Sequence, residues 1–107
     1  MTPALDQILA ALADPARRTV IERLCQQPLS AGDLARETGL SAAALSRHLR
    51  LLRQLGMIAE APLSRDARVR VYALRPQPMA DLKTWLGRQE ALWSRQVETV
   101  KRDYASA

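Results

Sequence analysis

The link Gly39-Leu40-Ser41 limits what this chain can fold into more than any other stretch. On its N-terminal side, Ser30-Ala31-Gly32-Asp33 resembles a capping box with Asp in the Glu position, opening a short helix that carries Leu34 and Ala35 as far as Gly39. On its C-terminal side Ser41 caps a longer helix that runs to Gly56, with Leu45, Leu49, Leu52 and Leu55 recurring at spacings of four, three and three. A glycine for the sharp turn, an apolar residue to pin the corner and a capped second helix with outward first turns are the requirements of a helix-turn-helix. All three are present in the sequence.

The flanking segments fit around that motif. Thr2-Pro3 reads as a cap and first helical residue, followed by the stripe Leu5, Ile8, Leu9 and Leu12. Asp14-Pro15 repeats the device, and Val20, Ile21, Leu24 and Cys25 form the buried side of a second helix that Pro28 ends. Beyond Gly56, residues 57–63 look extended, 64–68 form a polar turn, and Val69-Arg70-Val71-Tyr72-Ala73-Leu74 is rich in β-branched and aromatic residues, which predicts a hairpin. Pro62 lacks an amide donor and belongs at a strand end or on an outer edge. A basic hairpin directly after a helix-turn-helix is a wing.

From Pro78 the helical period returns through Met79, Leu82, Leu86, Trp93, Val97, Val100 and Tyr104, with Trp85 and Leu92 widening the stripe. About 25 residues at ~1.5 Å each would run roughly 37 Å, longer than so small a domain is wide. Part of the stripe therefore needs a partner, and the expectation is a homodimer seam built from Leu82, Leu86, Trp93, Val97 and Val100. Leu5, Ile8 and Leu12 of the first helix are expected alongside. The fold class is mainly α with a small β-hairpin: one winged helix-turn-helix domain over residues 1–107. The helix-turn-helix occupies 30–55, the wing 57–75, and dimerisation helices 1–12 and 78–104.

Charge is unevenly placed. Residues 1–35 hold three Arg against four acids, residues 36–75 eight Arg against three acids, and residues 76–107 five Lys or Arg against four acids, so the surplus lies in the middle. Fourteen of the sixteen basic residues are Arg, the better side chain for bidentate bonds to phosphate or guanine edges. The single cysteine, Cys25, excludes an internal disulfide and cannot by itself supply a structural zinc site; beside Leu24 it reads as a small core residue. The longest apolar stretch, Ile8 to Ala13, is too short to span a bilayer, which leads to the expectation of a soluble cytoplasmic protein without membrane attachment.

The stretches "LADPARRTVIERL", "LSAGDLARETGLSAAALSRHLRLLRQLGMI" and "RVRVYAL" resemble the ArsR-type winged-helix repressors of bacteria, and "LKTWLGRQEALWSRQVETVKRDY" is similar to the tail of a branch without metal-binding cysteines. The resemblance covers nearly the whole chain. It implies a homodimer that binds a roughly palindromic operator in double-stranded DNA and represses transcription, usually until an effector, possible here as a small molecule, lowers its affinity.

Three departures from the family pattern carry information. Metal-sensing members have a Cys-x-Cys pair on the third helix or Asp and His ligands on the terminal one, whereas the matching Gly32-Asp33-Leu34-Ala35 offers no cysteine and the only histidine, His48, lies in the recognition helix. No metal site and no cofactor are expected. Ala42 and Ala43 stand where many relatives have a polar residue; alanine can touch a thymine methyl but makes no bidentate bond, so base reading would rest on Ser46, Arg47 and DNA shape. Asp66-Ala67 occupies the wing tip, where Gly is frequent.

The DNA-contacting set expected from these readings is Ser41, Ala42, Ala43, Ser46, Arg47, Arg50 and Arg53 on the recognition helix, with Arg65, Arg68 and Arg70 on the wing. Arg47 is assigned nearer the bases, Arg50 nearer phosphate, and Arg53 to phosphate or a structural ion pair. His48 is expected to pack with one structural hydrogen bond. Catalysis is disfavoured, because Ser46 and His48 are two apart on a helix and do not face each other, and neither a second histidine nor a glycine-rich phosphate loop is present. The competing reading is a winged helix that binds protein or RNA rather than operator DNA.

Overall fold

The structure, a computed structural model, describes residues 4–62, 66 and 68–105. The expected Thr2-Pro3 cap, Arg65, Ala67 and part of the polar turn therefore lie outside the described residues.

Helix α1 spans Leu5–Ala13, and its first turn is closed by Gln7, whose Oε1 accepts from the Ala4 amide at 3.1 Å. Helix α2 spans Pro15–Gln26, with Asp14 as its cap: Oδ1 accepts from the amides of Ala16 at 2.8 Å and Arg17 at 3.2 Å. The same corner is tied from the other side. Arg17 donates from Nε to the Ala11 carbonyl and from Nη2 to the Ala10 carbonyl, each at 3.0 Å, and Arg18 donates to the Leu12 carbonyl at 2.7 Å. The last carbonyls of a helix have no partner within it, so two guanidiniums from α2 supply the C-terminal cap of α1.

After α2 come the two-residue strand β1, Leu29–Ser30, and helix α3, Ala31–Thr38. Ser30 Oγ accepts from the Asp33 amide at 3.1 Å, while the Asp33 carboxylate turns to Arg36 and so completes an ion pair, not a reciprocal capping box. Gly39 ends α3 with φ 73°, in the left-handed region that the turn requires, and its amide donates to the Ala35 carbonyl at 3.0 Å. Helix α4 follows over Ala42–Gln54. A second left-handed glycine, Gly56 at φ 75°, releases the chain into β2, Ile58–Ala61. Strand β3, Val71–Leu74, returns antiparallel to β2 with Ile58 opposite Leu74 and Glu60 opposite Tyr72. β1 pairs along the other edge of β3, giving a three-stranded sheet of order β1-β3-β2 in place of a bare hairpin. Helix α5 then runs over Pro76–Ala105, beginning two residues earlier than the periodicity suggested; both prolines sit in its first turn, where no amide bond is lost.

One core joins these elements, with Ile8, Val20, Leu34, Leu45, Leu52 and Ile58 fully enclosed. Three sequence expectations change here. Ile8 is 1% exposed and Leu82 9% exposed: both belong to the chain's own core, with Leu5 and Leu12 packed against it, because α1 lies on the start of α5 within one chain. Ile8 and Leu82 are therefore enclosed before any second copy arrives, whereas Leu5 and Leu12 stay half-buried and Leu86 is exposed. Cys25 is exposed, since the buried arc of α2 runs through Val20, Ile21 and Leu24 and Cys25 falls just outside it. Beyond Leu82, by contrast, α5 projects, and the molecule measures 67 × 29 × 21 Å.

Candidate nucleic-acid interface

Helix α4 has a buried side and a bare one. Leu45, Leu49 and Leu52 face the core, and the 3.6-residue repeat therefore turns Ala42, Ala43, Ser46, Arg47, Arg50 and Arg53 to solvent, as does the cap residue Ser41. Ser41 Oγ accepts from the Ala44 amide at 3.1 Å, which fixes the helix start and leaves other first-turn amides and the positive end of the helix dipole facing outward. Ser41 thus has a structural hydrogen bond in addition to its place on the expected surface.

The arginines fall into two groups. Among the described residues, no carboxylate lies within ion-pair distance of Arg47 or Arg50. Arg53 and Arg70 instead share one carboxylate, Glu60, at 3.1 and 3.6 Å. The strand pleat explains the meeting. Glu60 lies on the same face of β2 as Ile58, the face turned to α4, and Arg70 continues the alternation of Tyr72 and Leu74 just before β3. Arg68 pairs with Asp66, whose carboxylate also accepts from the Arg68 amide at 2.9 Å; that backbone bond first, and the side chain second, hold the carboxyl below its usual range. Three of the expected DNA-contacting arginines are thus already held by acids, although Arg68 remains largely exposed.

Ser46, Arg50 and Arg53 of α4 line one cleft together with Arg70 and Tyr72, so recognition helix and wing root share a surface. One residue outside the expected set proves to organise it. Glu60 clamps wing to helix, a pairing of residues seven apart that becomes visible only once the register of β2 on β3 is known. Asp14, capping α2, is held below its usual range by the amide of Arg17 first, opposed by partial desolvation, with the Ala16 amide and the Arg17 and His48 charges adding to the lowering. His48 is half-buried beside that corner, and its side chain makes no hydrogen bond to a described residue, so its expected structural bond is absent among them.

Among the described residues, no group of three or more His, Cys, Asp or Glu is placed to hold a metal ion, and no helix is long and apolar enough to cross a membrane.

Residues 14–60, from the α2 cap through most of β2, match the family described as "Bacterial regulatory protein, arsR family". The chain is 39% identical over 90 residues to the HTH-type transcriptional regulator Rv2034 of Mycobacterium tuberculosis, covering 84% of this chain and 78% of that protein. It is 27% identical over 82 residues to the transcriptional repressor SdpR of Bacillus subtilis, covering 77% of this chain and 88% of the relative. Among solved structures, the ArsR family transcriptional regulator RHA00566 superposes with a TM-score of 0.71 at 32% identity, over 84% of this chain and 96% of its own.

Proposed function

The chain belongs to the ArsR family of bacterial regulatory proteins, and from that premise we propose that it is a homodimeric repressor holding a pseudo-palindromic operator in duplex DNA, with no metal as its signal. The observation that carries this reading is the bare side of α4: Arg47 and Arg50, without carboxylate partners among the described residues, stand outside a buried leucine stripe and beside a basic wing. A helix of this diameter fits the major groove, where an arginine can bond guanine O6 and N7 together.

The roles then divide by position. Arg47 and Ser46 read base edges, Ala42 and Ala43 contribute only apolar contact, and Arg50 meets phosphate. Arg53 and Arg70 hold Glu60 and shape the wing root, offering phosphate their remaining donors. Arg68 at the exposed wing contacts the backbone. Two copies joined along the uncovered part of α5, through Trp93, Val97 and Val100, would present two α4 helices to successive major grooves. Metal independence is supported by the residues themselves: Gly32-Asp33-Leu34-Ala35 carries no thiol and the one histidine lies on α4.

The test is a gel-shift titration of DNA from upstream of the protein's own gene against random duplex. Arg47→Ala is expected to weaken operator binding by about 1–3 kcal/mol and to narrow the gap to random DNA, while Arg68→Ala weakens both duplexes alike. Equal losses on both duplexes for both variants would contradict the division, and no binding to either duplex by the unaltered protein would favour a protein or RNA partner.

A further inference from the structure

A cleft of about 590 Å³ opens between α3, the middle of α4 and the root of the wing. Its floor is apolar, formed by the outer edges of Leu45, Leu49 and Tyr72, all core side chains. Its width comes from small residues on the facing helix, Ala31, Gly32 and Ala35. Gly32 lines the cleft, and a Cβ there would meet nothing nearer than the Arg36 guanidinium at 3.8 Å and Ser30 Oγ at 3.9 Å, so a larger side chain has room at its edge. The rim is cationic. Arg50, Arg53 and Arg70 stand on it, and the one carboxylate bonded there among the described residues, Glu60, leaves a surplus of two positive charges.

Hollows of roughly 300–1,000 Å³ suit small organic molecules. Duplex phosphates would use this rim but leave the apolar floor empty, whereas a flat hydrocarbon bearing a carboxylate uses both, since guanidinium and carboxylate bond through paired donors and acceptors. We propose that the cleft binds a small aromatic carboxylate, with its ring on Leu45, Leu49 and Tyr72 and its charge on the arginine rim, and that this ligand competes with DNA for Ser46, Arg50 and Arg70. The competition rests on the reading of α4 and the wing as the DNA surface; the binding itself does not. Glu60 is then an internal rival of the ligand, occupying two of the guanidiniums when the cleft is empty.

The experiment is a titration of the whole protein with naphthoate, without DNA, followed by backbone amide resonances. Saturable shifts are expected in residues 31–35, 45–53 and 70–72, with uncharged naphthalenemethanol at least about tenfold weaker. Gly32→Leu fills the hollow and weakens naphthoate by about tenfold or more, its thermal midpoint serving as the check on folding. Glu60→Gln frees the arginines and strengthens naphthoate several-fold, an effect of opposite sign that a loss of folding cannot produce. Shifts confined to the apolar side of α5, or equal affinities for acid, alcohol and both variants, would overturn the site. Naphthoate should also weaken DNA binding by the unaltered protein and not by Gly32→Leu; a ligand that fills the cleft and leaves DNA affinity unchanged would overturn the competition. If the protein binds no DNA while the amide shifts persist, the failure belongs to the operator reading and the cleft assignment stands.

Discussion

Arg17 and Arg18 reach back across the first helical corner to the carbonyls of Ala10, Ala11 and Leu12, and this gives the "ADPARR" stretch a structural meaning. Asp14 opens α2 while the two arginines close α1, so one hexapeptide serves both helix ends. The capping half was legible in the sequence, because an Asp-Pro pair acts on its own next residues. The arginine half was not, since its acceptors lie six and seven residues back and come within reach only after the corner has formed. Arg17 is mostly enclosed, so Arg17→Ala should lower unfolding stability by about 1–2 kcal/mol in denaturant melts, leaving two carbonyls unbonded. A loss below about 0.3 kcal/mol would show that solvent replaces the clamp. Asp14 gives a pH signature. Its folded carboxyl titrates below the ordinary value near ~3.9, so its ionised form contributes stability above that pH and loses it as pH falls through the lower folded value. Asp14→Asn keeps the cap without the charge, so the advantage of the unaltered protein should be full near neutral pH and shrink below about pH 4. An advantage independent of pH would remove the charge from the account.

At the scale of elements, long periodic segments were the readable ones. The α3-turn-α4 unit lies where Gly39 and Ser41 placed it, because its signals are local: a left-handed glycine, a hydroxyl cap and a leucine stripe. Strand β1 escaped notice because two residues, Leu29 and Ser30, show no alternation and owe their pairing entirely to β3. The expected seam residues Ile8 and Leu82 prove internal for a related reason. An apolar stripe shows that a helix buries one side, not which chain covers it, and Ile8 and Leu82 are covered from within. Past Gly87 the helix is uncovered, with Trp93 71% and Tyr104 80% exposed. Exposed apolar surface of this kind suits the dimer seam proposed above. Trp93→Asp should therefore convert a dimer to a monomer in sedimentation velocity without unfolding the domain, since that residue lies outside the core. An unchanged sedimentation coefficient would remove this part of α5 from the interface.

At the scale of the whole molecule, charge and shape act together. The central segment carries eight of the fourteen arginines, and the fold brings recognition helix and wing root to one cleft. The sequence showed that surplus but not its internal neutralisation: Glu60 lies between Arg53 and Arg70, and Asp66 beside Arg68, which leaves Arg47 and Arg50 as the unpaired cations of the set among the described residues. Part of the wing charge therefore serves to hold geometry before any DNA arrives. The measurement that tests the central claim most directly is equilibrium binding of the protein to its own upstream duplex over a series of salt concentrations. A dimer releasing counterions from about 6 to 10 phosphates should lose about 10³ to 10⁵ in affinity between roughly 50 and 200 mM salt while still preferring operator to random sequence. Affinity that ignores salt, or that fails to distinguish the two duplexes at any salt concentration, would contradict the assignment.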